Sequence, residues 1–268
     1  MDETLQGGYN SAPIRHGDTV IRSTGPWSRN VHALLHHLHT RGFIQAPRVL
    51  DTDPAAGTET LTYIHGQPGT YPLTPTQRSE QALIAVARTI RAMHEATTGF
   101  TAPDPSAWQA RTVLPVDIDC IGHNDLGPYN IVYGGDGTGD TEVAAIIDWD
   151  FAGPSNRVWD LSYAAHRFVP LSAPRSTQAF GFDFGVDPVP AQRARLRTFL
   201  DAYGTDASID VAYLLDVLVL RLSAITAHIE RGVLAGDPRF DRQREERHGD
   251  GYREDMAYIL QQRSQLGS

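Results

Sequence analysis

Three polar side chains, His123, Asp125 and Asn130, stand in the short stretch "IGHNDLGPYNIVY" at 121–133. His, Asp and Asn are poor strand residues and Pro128 excludes a regular helix, so the stretch reads as a loop feeding the apolar strand "NIVY". A polar turn, "GGDGTGD", follows, and then a second apolar run, "EVAAIIDWD", which carries Asp148 near its end. Antiparallel pairing of the two runs would set Asn130 beside Asp148. An amide oxygen and a carboxylate are hard ligands, suited to a Mg²⁺ that keeps waters and shares phosphate oxygens. Asp125 would face the same cleft as a base, or as a group that orients a nucleophile. His123 is placed to brace the loop.

The elements that must hold these residues follow from pattern. Residues 1–64 read as short strands with one helix, and Gly7-Gly8 and Gly17-Asp18 mark turns. "PWSRNVHALLHHLHTRGF" is helical, with Pro26 near its start, Gly42 at its stop, and Val31, Leu34, Leu35 and Leu38 on one face. "APRVLDT" and "ETLTYIHG" form a hairpin pair. The Gly/Pro-rich connector "HGQPGTYPLTP" at 65–75 is the expected boundary, dividing the chain into 1–68 and 69–268. "QRSEQALIAVARTIRAMHEA" is a long helix, and residues 155–268 are mainly helical.

Bulk properties narrow the function classes. With 268 residues, 41% of them apolar, the chain can bury one large or two medium cores. A net charge of −9 argues against non-specific nucleic-acid binding and mildly favours cationic partners. No unbroken run of about 18 apolar residues occurs, and the polar N-terminus does not fit a secretory signal. With a lone cysteine, Cys120, these features lead us to expect a cytoplasmic protein without a membrane span. All 23 basic residues are Arg, so any mechanism needing a lysine amine is excluded. His32, His36, His37 and His39 have no acidic or Cys partner nearby in sequence and read as a solvated helix face.

The pattern "HNDLGPYN", followed by a hairpin, "IIDWD" and then "DLS" at 160–162, resembles the aminoglycoside phosphotransferase (choline-kinase-like) family. By composition alone, His-x-Asp-x4-Asn is expected roughly 0.02 times in such a chain. The resemblance implies an α+β, bilobal, protein-kinase-like fold, with a small antiparallel-sheet N-lobe carrying one helix and a larger, mainly helical C-lobe. It implies transfer of the γ-phosphoryl of ATP, or GTP, to a hydroxyl. Asp125 and His123 would then be the catalytic-loop residues, Asn130 and Asp148 the Mg²⁺ ligands, and Asp160 the anchor of the loop. "GGYN" is similar to the family's nucleotide loop, which would give Gly7, Gly8 and Asn10 to the nucleotide. His94 matches a buried structural His. Glu246, Asp250, Glu254 and Asp255 would be available to line a pocket for a cationic acceptor.

Two departures stand out. The family's third-strand Lys is absent, and Arg22 of "DTVIRS" falls in its place. Arg keeps the charge but is longer and planar, so the exchange is not conservative. Val31 falls near the position of the helix Glu that normally orients that Lys, leaving Arg22 without its ion pair unless another acid supplies one. An active phosphotransferase and a catalytically impaired, pseudokinase-like binding protein are both compatible with this gap. The presence of Asp125, Asn130 and Asp148 together favours the active enzyme. A metal-dependent hydrolase built on His123, Asp125 and Asp148 would want further His ligands.

Overall fold

The computed structural model describes residues 2–5, 13–109, 117–134, 141–204 and 209–267. The N-terminal lobe is a five-stranded antiparallel sheet in the order β1-β2-β3-β5-β4. Its strands are β1 (Asp2–Thr4), β2 (Ile14–His16), β3 (Thr19–Ser23), β4 (Val49–Asp53) and β5 (Thr58–Thr62). Helix α1 (Ser28–Thr40) follows β3 and ends before Gly42, whose φ of 85° is the left-handed conformation that stops a helix cheaply. Val31, Leu34, Leu35 and Leu38 are all at most 1% exposed, so the apolar face read from spacing is the buried face. Each such side chain contributes about 1.5–3 kcal/mol on burial.

Strand β6 (Gln67–Pro68), inside the connector, pairs with β8 (Ile131–Tyr133), which in turn pairs with β9 (Val143–Ile146). Two short strands the sequence pattern did not reveal, β7 (Cys120–Gly122) and β10 (Gly153–Ser155), form a second ladder across the base of the polar loop. The helical lobe consists of α2 (Glu80–Ala96), α3 (Arg157–Phe168), α4 (Pro174–Ala179), α5 (Val189–Tyr203), α6 (Val211–Leu234), α7 (Asp241–Glu245) and α8 (His248–Leu266). Helix α2 starts where Ser79 accepts a hydrogen bond from Ala82 N. Its Ile90 and Met93 join Trp159, Phe199, Leu214, Leu218 and Ile259, each at most 1% exposed, in one core.

Helix α6 has a window of mean hydropathy 1.5 and is long and apolar enough to cross a membrane by length and composition. A search for unbroken apolar runs passes over it, because Asp216 and Arg221 interrupt it. Here it packs against α3 and α8. The His-rich helix departs from its reading as a solvated face. Only His36 is exposed, His39 bonds the Ala46 carbonyl at 3.0 Å, and His37 meets the Phe100 ring edge-on at 5.4 Å. His32 turns toward the sheet.

Candidate active site

The polar loop is held from below by one carboxylate. Asp160, in the first turn of α3, accepts the backbone N–H of His123 at 2.8 Å and that of Asn124 at 2.9 Å. Its Oδ2 also meets Nε2 of the buried His94 at 3.2 Å, and His94 Nδ1 lies 2.9 Å from the Tyr203 hydroxyl. Burial alone would raise the Asp160 pKa, but these bonds, that from His94 first, outweigh it and hold the group below its ordinary value. Close approach of β7 to β10 requires Gly122, where a Cβ would lie 2.7 Å from Ser155 Cβ and 3.0 Å from Asp160 Oδ2. Asn124 takes a left-handed φ of 61°, with its amide nitrogen on the Phe151 carbonyl, its Oδ1 on Ser155 Oγ, and its own carbonyl accepting from Arg221. A strained backbone is thus tied at three points.

His123 is fully buried, and its Nε2 meets the Ile147 carbonyl at 3.0 Å while the ring packs edge-on against Trp149. A carbonyl only accepts, so Nε2 carries the proton, and burial keeps the ring neutral by lowering its pKa. It braces the strand end that leads to Asp148. Asp125 is partly exposed. Its Oδ1 accepts from the Tyr129 hydroxyl at 2.7 Å, and its Oδ2 from Asn130 Nδ2 at 3.0 Å. Burial chiefly, with the nearby Asp148 charge, pushes its pKa up to about 7 against the opposing bond from Tyr129.

Asn130 ends a short 3-10 turn, Pro128–Asn130, and its carbonyl accepts from Ile147 N at 2.9 Å, so Asp148 follows directly beside it. Because Asn130 Nδ2 is committed to Asp125, Oδ1 is its free acceptor. Asp148 has a left-handed φ of 61°, and its side chain is 39% exposed. Asn130 Oδ1 and Asp148 Oδ2 have no hydrogen bond among the described residues. Two adjacent hard oxygens with open positions fit Mg²⁺.

Arg22, on β3, is not left without an acid. Its Nε donates to Glu59 Oε1 at 2.5 Å, and its terminal nitrogens reach Asp148 at 3.1 Å and Asp150 at 2.7 Å. Glu59 comes from β5, directly across from Arg22 in the antiparallel register. It is 2% exposed, and its other oxygen bonds His32 of α1. The helix position expected to be empty is therefore served by a strand carboxylate with a helix His behind it. Despite burial, the bond from His32 and the charge of Arg22 hold Glu59 below its ordinary pKa. Three carboxylates likewise overcome desolvation and raise the Arg22 pKa further, so its charge is permanent.

The loop thus gathers Asp125, Asn130, Asp148 and Arg22 within one linked set, with Glu59, Asp150, His32 and Tyr129 as members the sequence reading did not assign. Glu59 carried a signal, being an acid in a strand opposite an Arg strand. Gly7, Gly8 and Asn10 lie outside the described residues. Of the acids expected to line a cationic pocket, three are engaged in pairs, and Asp250 among them lines a cleft between α6 and α8 beside Glu230, Arg247 and Arg253. Glu246 pairs with Arg242 and His248, and Asp250 with Arg247 and Arg253. Asp255 is buried against His166, and Glu254 is exposed.

Comparison with known proteins agrees with this architecture. Residues 106–203 match the model of the phosphotransferase enzyme family. A trifolitoxin immunity protein from Rhizobium leguminosarum bv. trifolii is 34% identical over 207 residues, covering 75% of this chain and 73% of that protein. Among solved structures, an amicoumacin kinase in complex with AMP-PNP, Ca²⁺ and its ligand superposes with a TM-score of 0.64 at 15% identity, covering 95% of this chain and 87% of the other. A choline/ethanolamine kinase family protein from Mesorhizobium loti gives 0.59 at 16%, covering 97% and 92%. The GDP complex of an aminoglycoside 2′-phosphotransferase gives 0.60 at 14%, covering 96% and 92%. The chain belongs to the phosphotransferase enzyme family, with the protein-kinase-like fold of aminoglycoside phosphotransferases and choline kinases.

Proposed function

We propose that this protein transfers the γ-phosphoryl group of ATP or GTP to a hydroxyl of a small molecule. The observation that carries the reading is the partly exposed Asp125 carboxylate, fixed by Tyr129 and Asn130 beside the paired oxygens of Asn130 and Asp148. In this reading Asp125 accepts a hydrogen bond from the acceptor hydroxyl and orients its oxygen toward the γ-phosphorus. A new oxygen–phosphorus bond forms as the bond to the β-phosphate oxygen breaks, the hydroxyl proton passes to Asp125, and the nucleoside diphosphate leaves. Asn130 and Asp148 would hold Mg²⁺, which when bound offsets phosphate charge. Arg22, freed from Asp148 when phosphate arrives, would grip the nucleotide with its fork of N–H groups. His123 acts only through the strand end it supports.

The compartment this reading calls for is the cytoplasm, where the nucleotide is held. A relative named as an immunity protein, and structural neighbours named as aminoglycoside and amicoumacin kinases, support inactivation of a toxic small molecule as the role. The first test is the thermal midpoint with and without MgATP or MgGTP. Nucleotide at ~100 times its dissociation constant adds about 2.7 kcal/mol. In a chain of this size that is a rise of roughly 5–11 °C. The rise is expected to need Mg²⁺ and to vanish in Asp148→Ala. A magnesium-independent rise, or none, would leave a binding protein on the same scaffold.

A further inference from the structure

Beside Asp125 stands a cation that forms no ion pair among the described residues. Arg167, in the last turn of α3, is half-buried, and no carboxylate among the described residues forms an ion pair with it. Its Nε has no hydrogen-bond partner. The guanidinium carbon lies 4.7 Å from the Phe180 ring centroid, 5.0 Å from Tyr71, 5.8 Å from Tyr129 and 6.0 Å from Tyr163. Tyr129 is the residue whose hydroxyl meets Asp125 at 2.7 Å, and that hydroxyl also lies 3.2 Å from the Tyr163 hydroxyl. Arg167 is therefore one ring removed from the carboxylate that would face the acceptor. Asp125, Tyr129, Tyr71, Phe180 and Arg167 each keep part of their surface exposed, so the group opens outward.

The cations near this opening are Arg167 and Arg221, and Asp125 is its carboxylate, the group that would face the acceptor hydroxyl. A second Arg, Arg221, lies under the loop and over the Trp159 and Tyr163 rings. Asp255, the nearest predicted acid that reaches the interior, is bonded to His166 Nε2 at 3.0 Å and to Ala173 N at 3.3 Å. A guanidinium held by ring faces beside the Tyr71 hydroxyl, with its Nε unpartnered, retains donors for a planar anion, and the rings supply apolar walls. A polycation would meet like charge here.

We propose that the acceptor of this enzyme carries an anionic group, such as a carboxylate, on an aromatic or apolar body, and that Arg167 binds it while Asp125 faces the hydroxyl. The proposal rests on the phosphotransferase reading above and names its substrate class. It runs against the cationic acceptor that net charge suggested.

The experiment uses the full chain with MgATP present and three phenols of one shape and different charge. These are 4-hydroxyphenylacetate, 4-hydroxyphenylacetamide and tyramine, with kanamycin as a polycation and binding read by calorimetry. The carboxylate is expected to bind at least about 10-fold more tightly than tyramine. Arg167→Gln should erase that preference and Arg167→Lys should retain part of it. Because Arg167 is enclosed, each variant is first required to keep the wild-type thermal response to MgATP, which reports folding and the nucleotide site independently. Tighter binding of tyramine or kanamycin overturns the proposal, as does an unchanged preference in Arg167→Gln or no binding of any phenol. If MgATP itself fails to bind, the phosphotransferase reading falls, while the charge preference is still read from the three phenols.

Discussion

At the scale of single residues, Asp125 sets the pH behaviour. Its folded pKa of about 7 lies above the ordinary carboxylate value of about 3.9, so the folded state binds this proton more tightly than the unfolded chain. The stability it contributes is full below about 3.9 and is lost as pH rises through 7. Asp125→Asn, which cannot ionise, should therefore match the wild type only below about pH 4, begin to exceed it as pH rises above that, and exceed it fully at pH 8. Discounted for partial exposure, the gain is about 2 kcal/mol, or roughly 4–8 °C in the midpoint. Turnover should move the opposite way, with kcat/KM of the wild type falling below about pH 7 and Asp125→Asn inactive throughout. Equal midpoints of the two proteins at pH 8 would mean the carboxylate is better solvated than its surroundings indicate. Glu59 makes a separate case. Glu59→Gln keeps its shape but removes the charge facing Arg22, so MgATP binding should weaken about 10-fold while the fold survives. A dissociation constant unchanged by that substitution would show that Asp148 and Asp150 suffice to aim Arg22.

Elements decide what was legible beforehand. Helices α1 and α2 and the β8–β9 hairpin announce themselves because apolar spacing, a turn signal and a cap all agree over many residues. Strands β7 and β10 do not, since each has three residues and one carries Gly and Pro. Their ladder leads into the backbone that Asp160 holds, through bonds to positions 37 and 36 residues away (123 and 124) that no local pattern records. The partner of Arg22 was hidden for a similar reason. Local alignment looks for the acid on the helix, whereas strand register brings Glu59 across from 37 residues away. Arg167 carries no local signal of a site, because an Arg near a helix C-terminus ordinarily means dipole compensation. The β7–β10 ladder can be tested through Gly122→Ala. The added methyl would press on Ser155 and Asp160, costing about 1–3 kcal/mol and lowering the midpoint by roughly 2–12 °C. Turnover should fall further than the lost stability explains, because the backbone that Asp160 holds carries Asp125. Normal turnover in a destabilised Gly122→Ala would separate the ladder from the site.

For the whole molecule the governing contact is Arg22, because it joins the N-terminal sheet to the end of the β8–β9 hairpin through Asp148 and Asp150. The same guanidinium is the group offered to phosphate, and the same Asp148 the group offered to metal. Without nucleotide, each neutralises the other. With MgATP, their bond must give way to one from Asp148 to the metal and one from Arg22 to phosphate, so the tie between lobes passes from an ion pair to the ligand. Arg22→Gln should expose both halves of this exchange. Without nucleotide, it leaves Glu59, Asp148 and Asp150 without their shared cation. The loss is about 3 kcal/mol, a fall of roughly 6–12 °C. With MgATP present, it should recover little, since the phosphates gain no cation. Arg22→Lys restores a point charge that reaches fewer carboxylates at once, so its midpoint without nucleotide should lie between the two while its response to MgATP stays near wild type. If Arg22→Gln responds to MgATP as fully as the wild type, Arg22 is a tie between lobes alone and the phosphates are held by other groups.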